Sequence, residues 1–437
     1  MKLLLWLRDH PWKTLGLCCV GGLFVLIYLF CFWDIDPVPT PPELEVRTPQ
    51  VAPEKNAYTV LMKHAAWFEA NKAPQDGRER DALIADDAKM ISLSSNLQSI
   101  RGDLLKAEFF VSPKMESFNE SLTHLGTVRQ VFNQSQNEAF WHLKSGKTSE
   151  AVQVVRQMQD LLRQHKEPQS VIESLVLMAI SGITLHTALA TSSYANPKER
   201  LSLASNWVEL SQRQEWWRCS LAGESRLAYS TSIEIRQGNP IPDFDHIFIR
   251  ILTKPELLKS MHQDMMLKLI PCVNIPLDSV HNRNLDKEIA ELKHSAIHSP
   301  SVRSANKILL CMLVPALSTV GKKFIALETA LRLHQSRCAC LNYQDTHAGQ
   351  PPPDLTTLVQ AGLLKEIPID PWDGKPLRYD ASRGILWSVG DNLTDEGGTP
   401  NGKFSVLLGE EVPDLAAMNA GGGDVVLPLK LKAAAVP

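Results

Sequence analysis

The feature that most constrains this chain is an uncharged run near its start. Between Lys13 and Asp34 lie twenty residues, Thr14 to Trp33, without a formal charge. At about 1.5 Å per residue they cover roughly 30 Å as a helix, the thickness of a bilayer's hydrocarbon core. Trp12 and Trp33 bracket the run as interfacial anchors. Lys2, Arg8 and Lys13 precede it, whereas Asp34, Asp36, Glu43 and Glu45 come after it. The positive-inside rule therefore predicts a single-pass protein, with residues 1–13 as a cytoplasmic tail, 14–33 as a transmembrane helix and the rest outside. A cleaved signal peptide is the rival reading, but Cys31-Phe32-Trp33-Asp34 has no small-residue cleavage site. Phe30 before Cys31 also breaks a lipoprotein signature.

The rest of the chain is long enough to fold. Of 437 residues, 44% are apolar and 21% charged, which excludes a disordered chain and allows two or three domains. The formal net charge of −3 leaves no basic excess for phosphates, so nucleic acid is not an expected partner. Cys18, Cys19 and Cys31 fall inside the span. Cys219, Cys272, Cys311, Cys338 and Cys340 lie beyond it, an odd number that leaves at least one thiol unpaired. Cys338-Ala339-Cys340 is too tightly spaced for a zinc pair and reads as buried helix.

Six prolines between Pro37 and Pro53 predict an extended linker over residues 34–55, holding the folded part away from the bilayer. From residue 56 to 318 the pattern is helical. Leu125, Val128, Phe132, Ala139 and Leu143 step at helical spacing, as do Ala151, Val154, Met158 and Leu161 after Ser145-Gly146. This predicts an antiparallel hairpin, stopped at Gly146 and restarted at an N-cap on Thr148. Further helices are expected over 170–191, 197–212, 213–236, 254–270 and 284–298. The apolar stretches 170–191 and 308–320 read as buried core helices, since the first carries Glu173 and His186 and the second is short for a span.

A different texture occupies residues 319–430. A long helix over 322–343 leads into Pro351-Pro352-Pro353, a short helix opened by Asp354, and strands at 377–379, 384–389, 404–408 and 424–427. The Gly349/Pro351 turn, Ile367-Pro368, Asp370-Pro371-Trp372, Gly374, Pro376 and Tyr379 resemble the globular part of the major pseudopilin of type II secretion systems. Ser388-Val389-Gly390-Asp391 with Gly397-Gly398 is similar to that family's last acidic loop, and Gly423-Asp424-Val425 to its closing strand. The match lies far from the membrane helix, and no prepilin processing motif stands near Gly16, so the chain does not read as an assembling pilin. The whole layout resembles uncharacterised bacterial envelope proteins with a membrane anchor, an all-helical middle and a pseudopilin-like end. The resemblance implies a mainly α fold with a small C-terminal α+β module, a tail at 431–437, and a bacterial inner-membrane protein with its bulk periplasmic.

The chemical candidates are few. Asp391, Asp395 and Asp424, on a Gly-rich turn, are the residue types a hard cation takes, and by the resemblance Asp391 and Asp424 imply calcium ligands. The competing reading is that each makes a local turn hydrogen bond. Ser145-Gly146-Lys147-Thr148 lacks the earlier glycine and preceding strand of a phosphate-binding loop. His294 and His298 lack the glutamate of a zinc protease, Ser295 standing there instead. No Gly-x-Ser-x-Gly elbow occurs. The expectation is a non-enzymatic interaction or structural role, with envelope proteins or cell-wall components as partners. The alternative is an envelope hydrolase with a site between the helical domain and the C-terminal module.

Overall fold

The computed structural model describes residues 34–45, 50–74, 76–114, 123–237, 253–273, 315–399, 404–407, 410–413 and 423–433, with single positions at 22, 290, 291 and 294. The expected span Thr14–Trp33, apart from Gly22, and the helix expected over 284–298, apart from those three positions, lie outside the described residues. Twelve α-helices are described: α1 Ala57–Lys63, α2 Ala65–Ala70, α3 Gly77–Ala85, α4 Asp87–Lys106, α5 Thr123–Lys144, α6 Thr148–Gln164, α7 Val171–Tyr194, α8 Pro197–Ser205, α9 Leu210–Gln237, α10 Pro255–Leu269, α11 Pro315–Thr346 and α12 Leu355–Gln360. Six short strands come after them: β1 Arg378–Asp380, β2 Ile385–Ser388, β3 Phe404–Leu407, β4 Glu410–Pro413, β5 Val425–Pro428 and β6 Lys432–Ala433. The fold is mainly helical, as its periodicity predicts.

The expected hairpin is α5 and α6. Gly146 takes a left-handed φ of 72°, and the amides of Gly146 and Lys147 turn back to the carbonyls of Leu143 and His142. The restart differs slightly from expectation: Thr148 is the first helical residue, and Lys147 precedes it without a side-chain cap. One buried face of α6, Ala151, Val155, Met158 and Leu162, packs into a core shared with α5, α7 and α8. Asn196 and Glu199 form a reciprocal capping box at the start of α8. The stretch expected as one helix over 197–212 ends at Ser205, and a new helix begins at Leu210.

Among the described residues one helix, α7, is long and apolar enough to cross a membrane, yet 61% of its apolar window is buried inside the protein. Its hydroxyls are satisfied internally, Thr184, Thr187 and Thr191 each donating to the carbonyl four residues back. The helix is a core element packed against α5, α6, α9 and α11.

The C-terminal part is joined to this core through α11, which lies against α7, α8, α9 and the strands β2 and β5. β2 is the middle strand of an antiparallel sheet ordered β1-β2-β5, with Arg378 opposite Trp387 and Ser388 opposite Val425. Strands β3, β4 and β6 make a second antiparallel ladder. Two arginines fasten the parts. Arg337, 1% exposed, donates to the carbonyls of Pro428 and Leu429 at the end of β5 and to the hydroxyls of Ser192 and Ser193 on α7. Arg200 caps the end of α7 through the carbonyls of Ser192 and Ala195, and pairs with Asn342 and Asp345 on α11.

Residues 34–45 correct the expectation of a stand-off linker. Rather than extending freely, the segment is docked along α9 and α10. Asp34 accepts from the amides of Glu256 and Leu257 at 2.8 and 3.1 Å, supplying the cap that α10's own Lys254 does not. The Val38 amide donates to Glu256 at 2.8 Å, Arg218 donates to the carbonyls of Glu43 and Glu45, and Leu44 is buried at 3% exposure. Proline density removes amide donors from such a segment, and the Val38 amide and the Val38, Glu43 and Glu45 carbonyls find side-chain partners on the helices.

Cys219, Cys338 and Cys340 are free and buried. Burial pushes the thiols of Cys338 and Cys340 up, to about 11 and about 12, and raises that of Cys219 further. Cys338 and Cys340 stand two residues apart on α11, so their side chains diverge and cannot bond to each other. All three are expected to resist a thiol reagent at pH 8 in the native protein and to react once it is unfolded, counted by mass spectrometry of the labelled peptides. Labelling of Cys340 at the rate of an exposed thiol would contradict this packing.

Candidate acidic turn of the C-terminal module

The turn is built on a close approach of two backbones. Gly390, the second residue after β2, has φ 66°, and a Cβ there would lie 2.8 Å from the carbonyl oxygen of Gly423, just ahead of β5. A glycine at 390 therefore lets the exit of β2 pass the entry of β5. This contact brings the turn 390–398 beside Asp424, which is distant in sequence.

Asp424 is 1% exposed. Its Oδ2 accepts from the Gly398 amide at 2.7 Å, while its Oδ1 is buried without a hydrogen-bond partner. Burial pushes its carboxyl above the usual range; the Gly398 and Glu396 amides oppose this, and the Glu396 carboxylate beside it adds to it. Two carboxylates side by side, one of them buried, are costly unless a proton or a cation is shared between them.

Asp395 is placed otherwise. It accepts from the indole N–H of Trp387 at 3.0 Å and from the Gly397 amide at 3.0 Å, and faces the Arg378 guanidinium at 3.5 Å. The Trp387 hydrogen bond, chiefly, holds its carboxyl below the usual range. It makes the local turn bond that aspartate makes routinely. Asp391 stands partly exposed at the start of the turn. Among the described residues no three His, Cys, Asp or Glu side chains are grouped to hold a metal, so Asp391, Asp395 and Asp424 are not gathered into one ligand set. Glu396, beside Asp424, was not among the expected site residues; its position in the same acidic turn was the available signal.

Beneath the turn lies the Asp-Pro-Trp corner. Asp370 is fully buried and accepts four hydrogen bonds: from the Trp372 amide at 3.0 Å, the Ser388 hydroxyl at 2.7 Å, the Val389 amide at 3.0 Å and Arg378 at 2.7 Å. Arg378 also pairs with Asp373, so three carboxylates, of Asp370, Asp373 and Asp395, surround one guanidinium. The corner ties the loop before β1 to the end of β2 and leaves the surroundings of the turn electronegative.

A second pair of buried carboxylates lies at the start of α7. Glu173 accepts from the Ser112 hydroxyl and from the Gln169 amide at 2.7 Å. Glu224, on α9, faces the Val171 amide at 3.5 Å, and burial pushes it up to about 7. Both satisfy amides at a helix N-terminus. Of His294 and His298, set aside as a zinc pair from the sequence, His298 lies outside the described residues.

Comparison with protein-family models, with curated proteins and with solved structures found no match.

Proposed function

We propose that this is a single-pass bacterial envelope protein with a non-enzymatic structural or interaction role, whose pseudopilin-like end is clamped by a divalent cation, calcium, at the acidic turn. The observation that carries the reading is the orphaned Oδ1 of Asp424, buried beside Glu396 in a turn whose backbone carbonyls and carboxylates are all hard oxygen donors. Asp424 and Glu396 would hold the ion, with Asp391 a further carboxylate of the same turn. A bound cation would supply the positive charge that the pair lacks and cross-link the turn to β5. The residues fit such an ion in charge and donor type, and Asp395 is left to its work with Trp387 and Arg378.

A non-enzymatic role is supported over a hydrolase by the contacts where the helical body meets the C-terminal strands. Arg337 and Arg332 fill that boundary with bonds to carbonyls and hydroxyls of the protein itself.

The test is thermal melting of the full chain in detergent. Calcium at about 100 times its Kd is expected to stabilise by about 3 kcal/mol relative to chelator, and Asp424→Asn to abolish most of that gain. Asp395→Asn should keep it. An unchanged melting temperature on adding calcium to the unaltered protein would overturn the cation reading.

A further inference from the structure

The docking of residues 34–45 has a geometric consequence for where the folded body sits. Asp34 is the first residue after the uncharged run Thr14–Trp33, and its carboxylate is already committed to the amides of Glu256 and Leu257 at the start of α10. No residue of slack separates the run from the first tertiary contact. The next contacts come at once: Val38 to Glu256 and, through its carbonyl, to Lys259, then Leu44 in the core and Arg218 on the carbonyls of Glu43 and Glu45. A free polyproline segment of these twelve residues would span on the order of 40 Å. Its reach is instead spent lying along α9 and α10.

We propose that the prolyl segment is a strap that seats the folded body directly on the lipid surface, with the N-terminal end of α10 as the membrane-proximal face. The inference rests on reading Thr14–Trp33 as a membrane span. Two observations besides the contacts support the seat. Ile35, adjacent to the cap, is a large apolar side chain that is 42% exposed, a placement suited to the interfacial layer of a bilayer. The strap is also held by side chains from two helices, Arg218 on α9 and Glu256 and Lys259 on α10, so it is fixed along its length and not only at one end. The α10 end would then be covered by lipid.

The experiment uses the full chain in vesicles of phosphatidylethanolamine and phosphatidylglycerol. A genetically encoded fluorophore at Ser260 reports energy transfer to an acceptor on the lipid headgroups. A second protein carries twelve Gly/Ser residues inserted between Trp33 and Asp34, which leaves every strap contact intact and adds roughly 20 Å of root-mean-square reach. Strong transfer in the unaltered chain, falling about twofold with the insertion, is the expected result. Equal, weak transfer in both would overturn the seat, because it would mean the body already stands off. Asp34→Ala gives a separate arm: releasing the cap is expected to lower transfer without loss of helix content by circular dichroism, and transfer unchanged by it would show that the strap does not hold the body down. Extraction of the protein from vesicles by alkaline carbonate would instead contradict the membrane span itself, so the two failures are distinguishable.

Discussion

Asp370→Ala is expected to destabilise the protein by about 3–5 kcal/mol, the range seen when one partner of a buried ion pair is removed. The carboxylate is fully buried and accepts from two backbone amides, one hydroxyl and one guanidinium. Alanine leaves all four donors facing an apolar gap, and Arg378 keeps its charge with Asp373 and Asp395 only. Ser388→Ala removes one neutral donor from the same group and should cost only about 1 kcal/mol. Denaturant unfolding of the two variants beside the unaltered chain measures the difference. If Asp370→Ala were no worse than Ser388→Ala, the corner would not be the staple described. Asp370→Asn is expected to fall between them, since an amide retains one acceptor oxygen but cannot balance the guanidinium.

The second large effect is acid sensitivity. His165, His262 and His334 are buried, and burial pushes their imidazoles down from 6.5 to about 3, about 4 and about 3, with the Arg337 charge adding to the shift at His334. His262 illustrates why: both ring nitrogens lack a hydrogen-bond partner, so a proton there would have no acceptor. Each folded-state value lies below the unfolded one, so the unfolded chain binds protons first as the pH falls. Stability is therefore fully present above pH 6.5 and is lost progressively below it, at about 1.4 kcal/mol per histidine per pH unit until the folded value is reached. Three histidines give on the order of 6 kcal/mol of loss at pH 5.

Glu224 works in the opposite sense. Its folded value of about 7 lies above the ordinary 4.5, so protonation between pH 7 and pH 5 favours the folded state by roughly 3 kcal/mol. For these four groups the balance is a loss on the order of 3 kcal/mol between pH 7 and pH 5, and His186, which burial also pushes down to about 3, adds to the loss. Denaturant midpoints at pH 7.5, 6 and 5 read it directly. Replacing His262 by Met, a similar volume without a titrating group, should flatten the profile by about one histidine's share, roughly 2 kcal/mol at pH 5. A protein equally stable at both pH values would rule out neutral burial of these rings.

Legible along the chain was whatever depends on neighbours a turn or two away. The α5–α6 hairpin could be read from apolar spacing and from Gly146, whose backbone conformation other residues resist. Asp354 was legible as a helix start because its carboxylate serves the Thr357 amide three residues on. Short strands were approximate at their ends, and β4 and β6 went unseen, because a two- to four-residue strand carries too few side chains for alternation to show. In the acidic turn, the residue types pointed to oxygen chemistry, but the division of labour did not appear. Asp395 and Glu396 are adjacent and alike in the sequence; one faces Trp387 and Arg378 and the other lies beside Asp424.

The sequence by itself determined the helical class, the hairpin, the cap at Asp354 and the uncharged run, since each rests on local propensity or on composition. The tertiary structure alone decided which prolines form a strap, which aspartate is left with an orphaned oxygen, and that Arg337 ties α7 to the end of β5. Asp34 finds its amides 222 residues away, and Arg337 its carbonyls and hydroxyls 91 to 148 residues away. Such partners are chosen by the packing of whole helices, and a carboxylate or guanidinium carries no mark along the chain of the donor or acceptor that burial will place beside it.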